Sequence, residues 1–220
     1  MRRLLFAQMT LDNLQGLVKL DDRGVQPKAW EDFAHGELSP REQFIVDHVT
    51  ADLRRFQPSL VNEATVFARA IFPLLVLAEA EGVQALADVP LTARIGEVEL
   101  AGTADGALGR PLAGELRAPF LVVVEAKRGV EAASPVAQLY GELLAAASIN
   151  AQETGRPSQR IYGCYTVADN WTFVRLQAEA LDTPHPSFEV VTSWELNEKV
   201  EAGTIARILK TIVAEHQRAA

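Results

Sequence analysis

Glu125, Ala126 and Lys127 close the apolar run Phe120–Val124, and Asp105 stands upstream between Gly102 and Gly106. Two acids and a lysine at the rim of a buried strand could hold a hard divalent cation with a water beside it. Mg²⁺ sites use one or two carboxylates, with substrate phosphate oxygens and waters filling the other positions. The chemistry that fits is metal-assisted hydrolysis of a phosphodiester. Glu125-x-Lys127 is the one acid-x-lysine tripeptide in a chain with 29 acidic residues and 5 lysines. The alternative is structural: Glu and Lys often mark where a strand leaves the core, and a surface pair contributes only about 0–1 kcal/mol.

These residues depend on the elements that carry them. Phe120–Val124 is continuously apolar and reads as a strand buried on both faces. Glu125 and Lys127 are two apart, so they project to the same side. Residues 92–101 alternate polar and apolar, with a change of phase at Gly96, and read as a half-exposed, bulged strand. Strict alternation leaves Asp105 on the face of Glu97 and Glu99, towards solvent. A bend or bulge at Gly102 is therefore expected to re-aim it. Residues 109–119, with Pro111 and Gly114, read as a loop.

Ser134-Pro135 predicts the start of a helix with Val136, Leu139, Leu143 and Ala147 as its packing stripe. Gln138 and Glu142 are i, i+4 and lie well round the helix from that stripe. Gln138 either reaches a phosphate, a base edge or the attacking water, or sits on an exposed surface. Upstream, Ser59 to about Ala80 reads as a helix with a kink or break at Pro73. Glu63 lies on its apolar side, where an acid needs a partner or a metal. As a first-turn acid it would alternatively complement the helix dipole, or sit at a surface rim.

The remaining elements are coarser. Residues 1–20 lean helical, and Asp21–Gly24 reads as a turn. Ser39-Pro40-Arg41-Glu42 combines a capping box with Pro at the first helical position, and the helix ends at Gln57-Pro58. Arg160–Val167 and Trp171–Leu176 read as a hairpin joined across Asp169-Asn170. A strand at Phe188–Thr192 and a final helix capped by Asn197 follow. The sum is an α/β chain with a sheet of about five or six strands and helices around it.

Asp105, Glu125 and Lys127 together resemble the PD-(D/E)xK nuclease superfamily, the restriction-endonuclease-like proteins. Gln138 resembles the Gln that family often carries on the next helix, and Glu63 the acid it often carries on the preceding one. Tyr162–Thr166 and Trp171–Phe173 are similar to the hairpin that follows. The resemblance covers roughly residues 60–195. Ala104 stands where the family name has Pro. The resemblance implies a three-layer α/β/α core with a mixed sheet over residues 59–220, and an N-terminal helical extension over residues 1–58. It implies Mg²⁺ or Mn²⁺ held by Asp105 and Glu125 with help from Glu63, catalysis by these acids with Lys127 and Gln138, and a nucleic-acid substrate, DNA ahead of RNA.

Composition sets limits. Hydrophobic content is 48%, enough for a sizeable core. Cys164 is the single cysteine, so no intramolecular disulfide forms, which fits a reducing cytoplasm. Cys164 reads as a buried structural thiol. No signal peptide is read at Arg2-Arg3, and the longest apolar run is too short to span a bilayer, so no membrane partner is expected. No histidine spacing, Walker loop or G-x-S-x-G favours zinc or a triad. The net charge of −8 counts against nucleic acid. Against that, Arg110, Arg117, Lys127, Arg128, Arg156 and Arg160 fall near the site region, either as a local patch or scattered. The rival reading is a catalytically inactive module on the same fold, binding nucleic acid or a protein. Residues 1–58 would then serve as a homodimer interface or a substrate clamp.

Overall fold

The computed structural model describes residues 2–127, 129 and 135–219. Two tight turns build the part of the sheet that carries the acids. Strands β3 (Gln84–Ile95) and β4 (Val98–Leu112) pair antiparallel from Ile95↔Val98 outward. Gly96 turns the corner at φ +56°, a left-handed conformation that glycine adopts without steric cost. The change of phase at Gly96 is thus a hairpin, not a bulge inside one strand. A second turn at Ala113-Gly114, with φ +52° and +85°, leads into β5 (Glu115–Lys127). Residues 109–119, expected as a loop, are the far end of that hairpin. The pairs Arg110↔Arg117, Pro111↔Leu116 and Leu112↔Glu115 hold it as strand despite its Pro and Gly content.

Strand β5 then pairs in parallel with β6 (Gln159–Val167). A parallel neighbour needs a crossover, and α6 (Pro135–Thr154) supplies it. Ser134, expected as its cap, lies outside the described residues. β6 and β7 (Asn170–Glu179) form the expected hairpin, turning at Ala168-Asp169, one residue earlier than read. β8 (Ser187–Thr192) extends the sheet, and the short β9 (Leu196–Asn197) pairs with β7.

Among the described residues the sheet has nine strands, more than the expected five or six. Part of the surplus comes from the N-terminal quarter, which is not purely helical. β1 (Arg2–Leu5) pairs in parallel with β4, and β2 (Lys19–Val25) pairs in parallel with β8. Asp21–Gly24, expected as a turn, lies inside β2. This edge strand is charged and mostly exposed, so it carries almost none of the apolar alternation that marks a strand in sequence. Its partner β8, not its own composition, makes it extended. Two helices of this region follow the sequence: α1 (Leu11–Gln15) falls in the helix-leaning stretch, and α3 (Pro40–Leu53) has the full capping box of Ser39 and Glu42; α2 (Glu31–Ala34) is not among the expected elements.

Helices cover both faces of this mixed sheet. On one face α6 packs through Leu139, Tyr140, Leu143 and Ala147. On the other lie α2, α3, α4 (Glu63–Val66), α5 (Phe72–Leu77) and α7 (Glu198–Ala219). A π-helical turn, Phe67–Ile71, joins α4 to α5 just before Pro73. Pro73 has no N–H to give, and a wider turn is one way a helix absorbs that defect. Asn197 caps α7 as expected, its Oδ1 accepting from Lys199 N at 3.1 Å. No helix among the described residues is long and apolar enough to cross a membrane.

Gly102 plays a different part from the one expected. β4 runs through it without a break, in constant register with β3. A Cβ at this position would come within 2.5 Å of Phe6 Cδ2, so Gly102 admits the buried Phe6 ring beneath α6 and makes no bend. Gly102→Ala is expected to destabilise the fold by about 1–3 kcal/mol through overpacking. Phe6→Leu in the same chain should recover part of that loss. Urea denaturation of the two variants checks it, and an unchanged midpoint in Gly102→Ala would refute the packing role.

Candidate functional site

Register brings the first two acids together. β4 and β5 pair as far as Gly106↔Val124, and the next step along sets Asp105 against Glu125. The ladder is not continued by carbonyl groups there. Instead Ala126 N donates to Asp105 Oδ2 at 2.6 Å, which ties Asp105 to the strand that carries Glu125 and Lys127. On the other side of β4, Asp88 of β3 lies opposite Asp105 with φ +51°. Ala104 and Ala107 belong to the same core under α6. Strict alternation would put them on opposite faces, so the phase of β4 changes at Asp105 itself. The re-aiming expected at Gly102 therefore happens three residues later, opposite a strained Asp88.

Glu125 points to the α6 face and is 1% exposed. Lys127 follows it to the same side, as the spacing predicts. Its Nζ lies 2.5 Å from Glu125 Oε1, an ion pair that is 19% exposed at the lysine. The pair lacks the alignment of a hydrogen bond, and neither oxygen of Glu125 accepts one from a described residue. Helix α6 rides close over this point because Gly163 of β6 has no side chain. A Cβ there would sit 3.0 Å from Leu143 Cδ2 and from the Val123 carbonyl. That closeness lowers Glu142, 0% exposed, onto the acids. Gln138 Nε2 donates to Glu142 Oε1 at 3.1 Å, so Gln138 is not on an open surface; its amide holds Glu142.

The electrostatics follow from burial. Burial raises the Glu125 carboxyl to about 7, Asp105 adds to the rise, and Lys127 opposes it. Burial and then Glu125 raise Glu142 well above the usual carboxylate range. Asp105 adds to that rise, so burial beside the other acids favours the protonated form of Glu142. Asp105 is also raised by burial, with Glu63 and Asp88 adding to it against the Ala126 N–H and Lys127. Burial works against the charge on Lys127, but Glu125 outweighs it, and Glu63 and Asp105 help to keep the ammonium protonated.

Glu63 heads α4, where Asn62 caps the helix, and its side of the chain is exposed. It acts on Asp105 and Lys127 through its field. Among the described residues no three His, Cys, Asp or Glu side chains are drawn together as a ready metal site. Of the basic residues read either as a local patch or as scattered, Lys127 stands at the site. Arg110 pairs with Glu153 and Arg117 with Glu115 towards the far end of the hairpin, Arg160 is on β6, and Arg128 lies outside the described residues.

Glu142 is the residue that sequence reasoning missed. Its position off the packing stripe suggested solvent, but α6 is buried almost all round. The signal was there: Glu142 is the only charge between Pro135 and Gln152. A lone charge in an otherwise apolar and small-residue helix is a buried one.

The proton cluster has a consequence for stability. Unfolded, Glu125 titrates near 4.5; folded and without a cation, near 7. Across that window the folded chain binds more protons than the unfolded chain, so stability falls as pH rises, by up to about 1.4 kcal/mol per pH unit for each extra proton. Glu142→Gln removes one acid from the contact. In EDTA it is expected to raise the urea midpoint more at pH 8 than at pH 5. An equal shift at both pH values would mean that burial does not couple the two carboxyl groups.

No protein-family model matches the chain, and no curated protein does.

Proposed function

We propose that this chain is a divalent-metal-dependent nuclease of the PD-(D/E)xK, restriction-endonuclease-like kind, hydrolysing phosphodiester bonds, DNA ahead of RNA. The observation that carries the reading is the burial of Glu125 against two further acids, with both its oxygens lacking an aligned hydrogen bond. Such a group is costly at neutral pH unless a cation meets it. The donor set is all oxygen, which suits Mg²⁺ or Mn²⁺. Asp105 and Glu125 would hold the ion, with Glu142 beside them and Glu63 across the rim. Bound there, the ion would lower the pKa of a coordinated water and stabilise charge on the phosphate.

The chain's own groups then have distinct tasks. The Ala126 N–H fixes Asp105, so this carboxylate keeps its direction. Lys127 stays protonated beside Glu125, which makes it a donor to developing phosphate charge rather than a general base. Gln138 is a positioning residue: it orients Glu142 through its amide. The aim of each carboxylate is set by strand register and by α6, both rigid elements.

The test is cleavage of plasmid DNA, single-stranded DNA and RNA with Mg²⁺, Mn²⁺ or EDTA. Asp105→Asn and Glu125→Gln are expected to abolish metal-dependent cutting while the fold persists. Lys127→Ala should slow turnover by about 10²-fold or more and leave metal affinity nearly unchanged. Equal cutting by wild type and all three variants would place the activity elsewhere. No cutting by wild type, with no Mn²⁺ bound in calorimetry, would favour the non-catalytic module.

A further inference from the structure

On the face of the sheet opposite α6, the helices leave part of β6, β7, β8 and β2 uncovered. Tyr162 and Phe173 belong to the core under α7. Strand alternation puts Arg160 beside Tyr162, and Arg175 and Gln177 beyond Phe173, on that same face. Cross-strand register sets Tyr162 against Arg175 and Arg175 against Val191, and Gln177 against Arg160 and Glu189. Two hollows adjoin there. One of about 620 Å³ includes Arg160, Gln177, Glu215 and Arg218. The other, about 560 Å³, includes Arg23, Lys28, Arg175 and Glu189.

Five cations thus share this face with four carboxylates, and all four are engaged: Glu179 Oε1 accepts from Ser158 Oγ and from Gln177 Nε2, both at 2.8 Å. Tyr162 OH donates to Glu215 Oε2 at 2.8 Å, and Arg23 pairs with Glu189 at 3.4 Å and with Asp21 at 2.7 Å. Arg160 gives only its Nε, to Gln177 Oε1 at 3.3 Å. Arg218 gives its Nε to the Ala214 carbonyl at 3.2 Å. Among the described residues no salt bridge reaches Arg160, Arg175, Arg218 or Lys28. In a chain of net charge −8, four cations that meet no carboxylate among the described residues gather on one face, where an anion from outside can reach them.

We propose that this face is a track for a nucleic-acid backbone, separate from the acid cluster; the identity of the polyanion rests on the nuclease reading. The cations do not converge on one point. They run from α7 across four strands spaced about 4.8 Å apart, which suits a chain of phosphates better than a single small acid. The rings nearby, Trp30, Phe33, Tyr162 and Phe173, are buried against one another. They offer no base a stacking surface, so contact is to phosphate and carries no sequence preference. Glu125 pairs with Tyr165 and Val122 with Tyr162, so Arg160 sits roughly 16 Å along β6 from the level of the acids, at 3.3 Å per residue. A strand held here is anchored away from the bond that the acids would cut.

Anisotropy with labelled single-stranded DNA, single-stranded RNA and duplex DNA, in EDTA over a salt series, tests the track without any cleavage. Arg160→Ala/Arg175→Ala is expected to weaken binding at least tenfold and to lower the log–log salt slope by about 1.4 for single strands. Lys28→Glu, at an exposed position, should weaken it independently, while Arg117→Ala, remote and paired with Glu115, should not. Unchanged affinity and slope in both track variants would overturn the proposal, whatever the cleavage assay gives. Displacement of the oligonucleotide by polyglutamate at equal charge concentration would overturn the nucleic-acid identity in favour of an acidic protein. A wild type that cuts nothing yet binds with this slope would leave the track standing and remove the hydrolytic reading.

Discussion

Glu125 sits in a place where a carboxylate alone would cost several kcal/mol. It ends a strand buried on both faces, under a helix held tightly against the sheet. Lys127 supplies one charge from the rim, and Asp105 supplies the opposite tendency from the side. Much of the surrounding structure answers to this imbalance. The Ala126 N–H is given to Asp105 instead of to a strand partner. Gln138 is given to Glu142 instead of to solvent. Burial raises the Glu125 and Glu142 carboxyls above the usual carboxylate range, which eases the cost of keeping them together.

The same constraint explains why rigid elements carry every member of the cluster. Asp105 and Glu125 lie on neighbouring strands whose register is set by two tight turns, at Gly96 and at Ala113-Gly114. Glu142 and Gln138 lie on one turn of α6, whose height over the sheet is set by the absence of a side chain at Gly163. Charges placed on loops would relax away from one another; charges placed on a buried strand and a buried helix cannot.

Charge is also divided between the faces of the molecule. The acids gather under α6, while arginines that meet no carboxylate among the described residues lie on the opposite face near α7. A net charge of −8 hides this division, because a chain average says nothing about which residues share a surface. The N-terminal quarter contributes to it directly. β2 closes the basic face with Arg23, and the segment after it adds Lys28.

Local signals were sufficient where a few neighbouring residues decide the outcome. The capping box at Ser39 and Glu42, the Asn197 cap, the buried run Phe120–Val124 and the common side of Glu125 and Lys127 were all legible, because capping and alternation are local chemistry. The composition of β2 and of residues 109–119 pointed the wrong way, since their extended form depends on partners far along the chain. The change of phase at Asp105 could not be read, because it lies opposite Asp88 in another strand. Glu142 was hidden for a related reason: a stripe on a helix implies one buried face, whereas packing buries α6 nearly all round. The sequence by itself determined the kinds of charge available and the strand end that bears Glu125 and Lys127. Only the tertiary structure decided which acids meet, because strand register and helix height are set by contacts between residues remote in the chain.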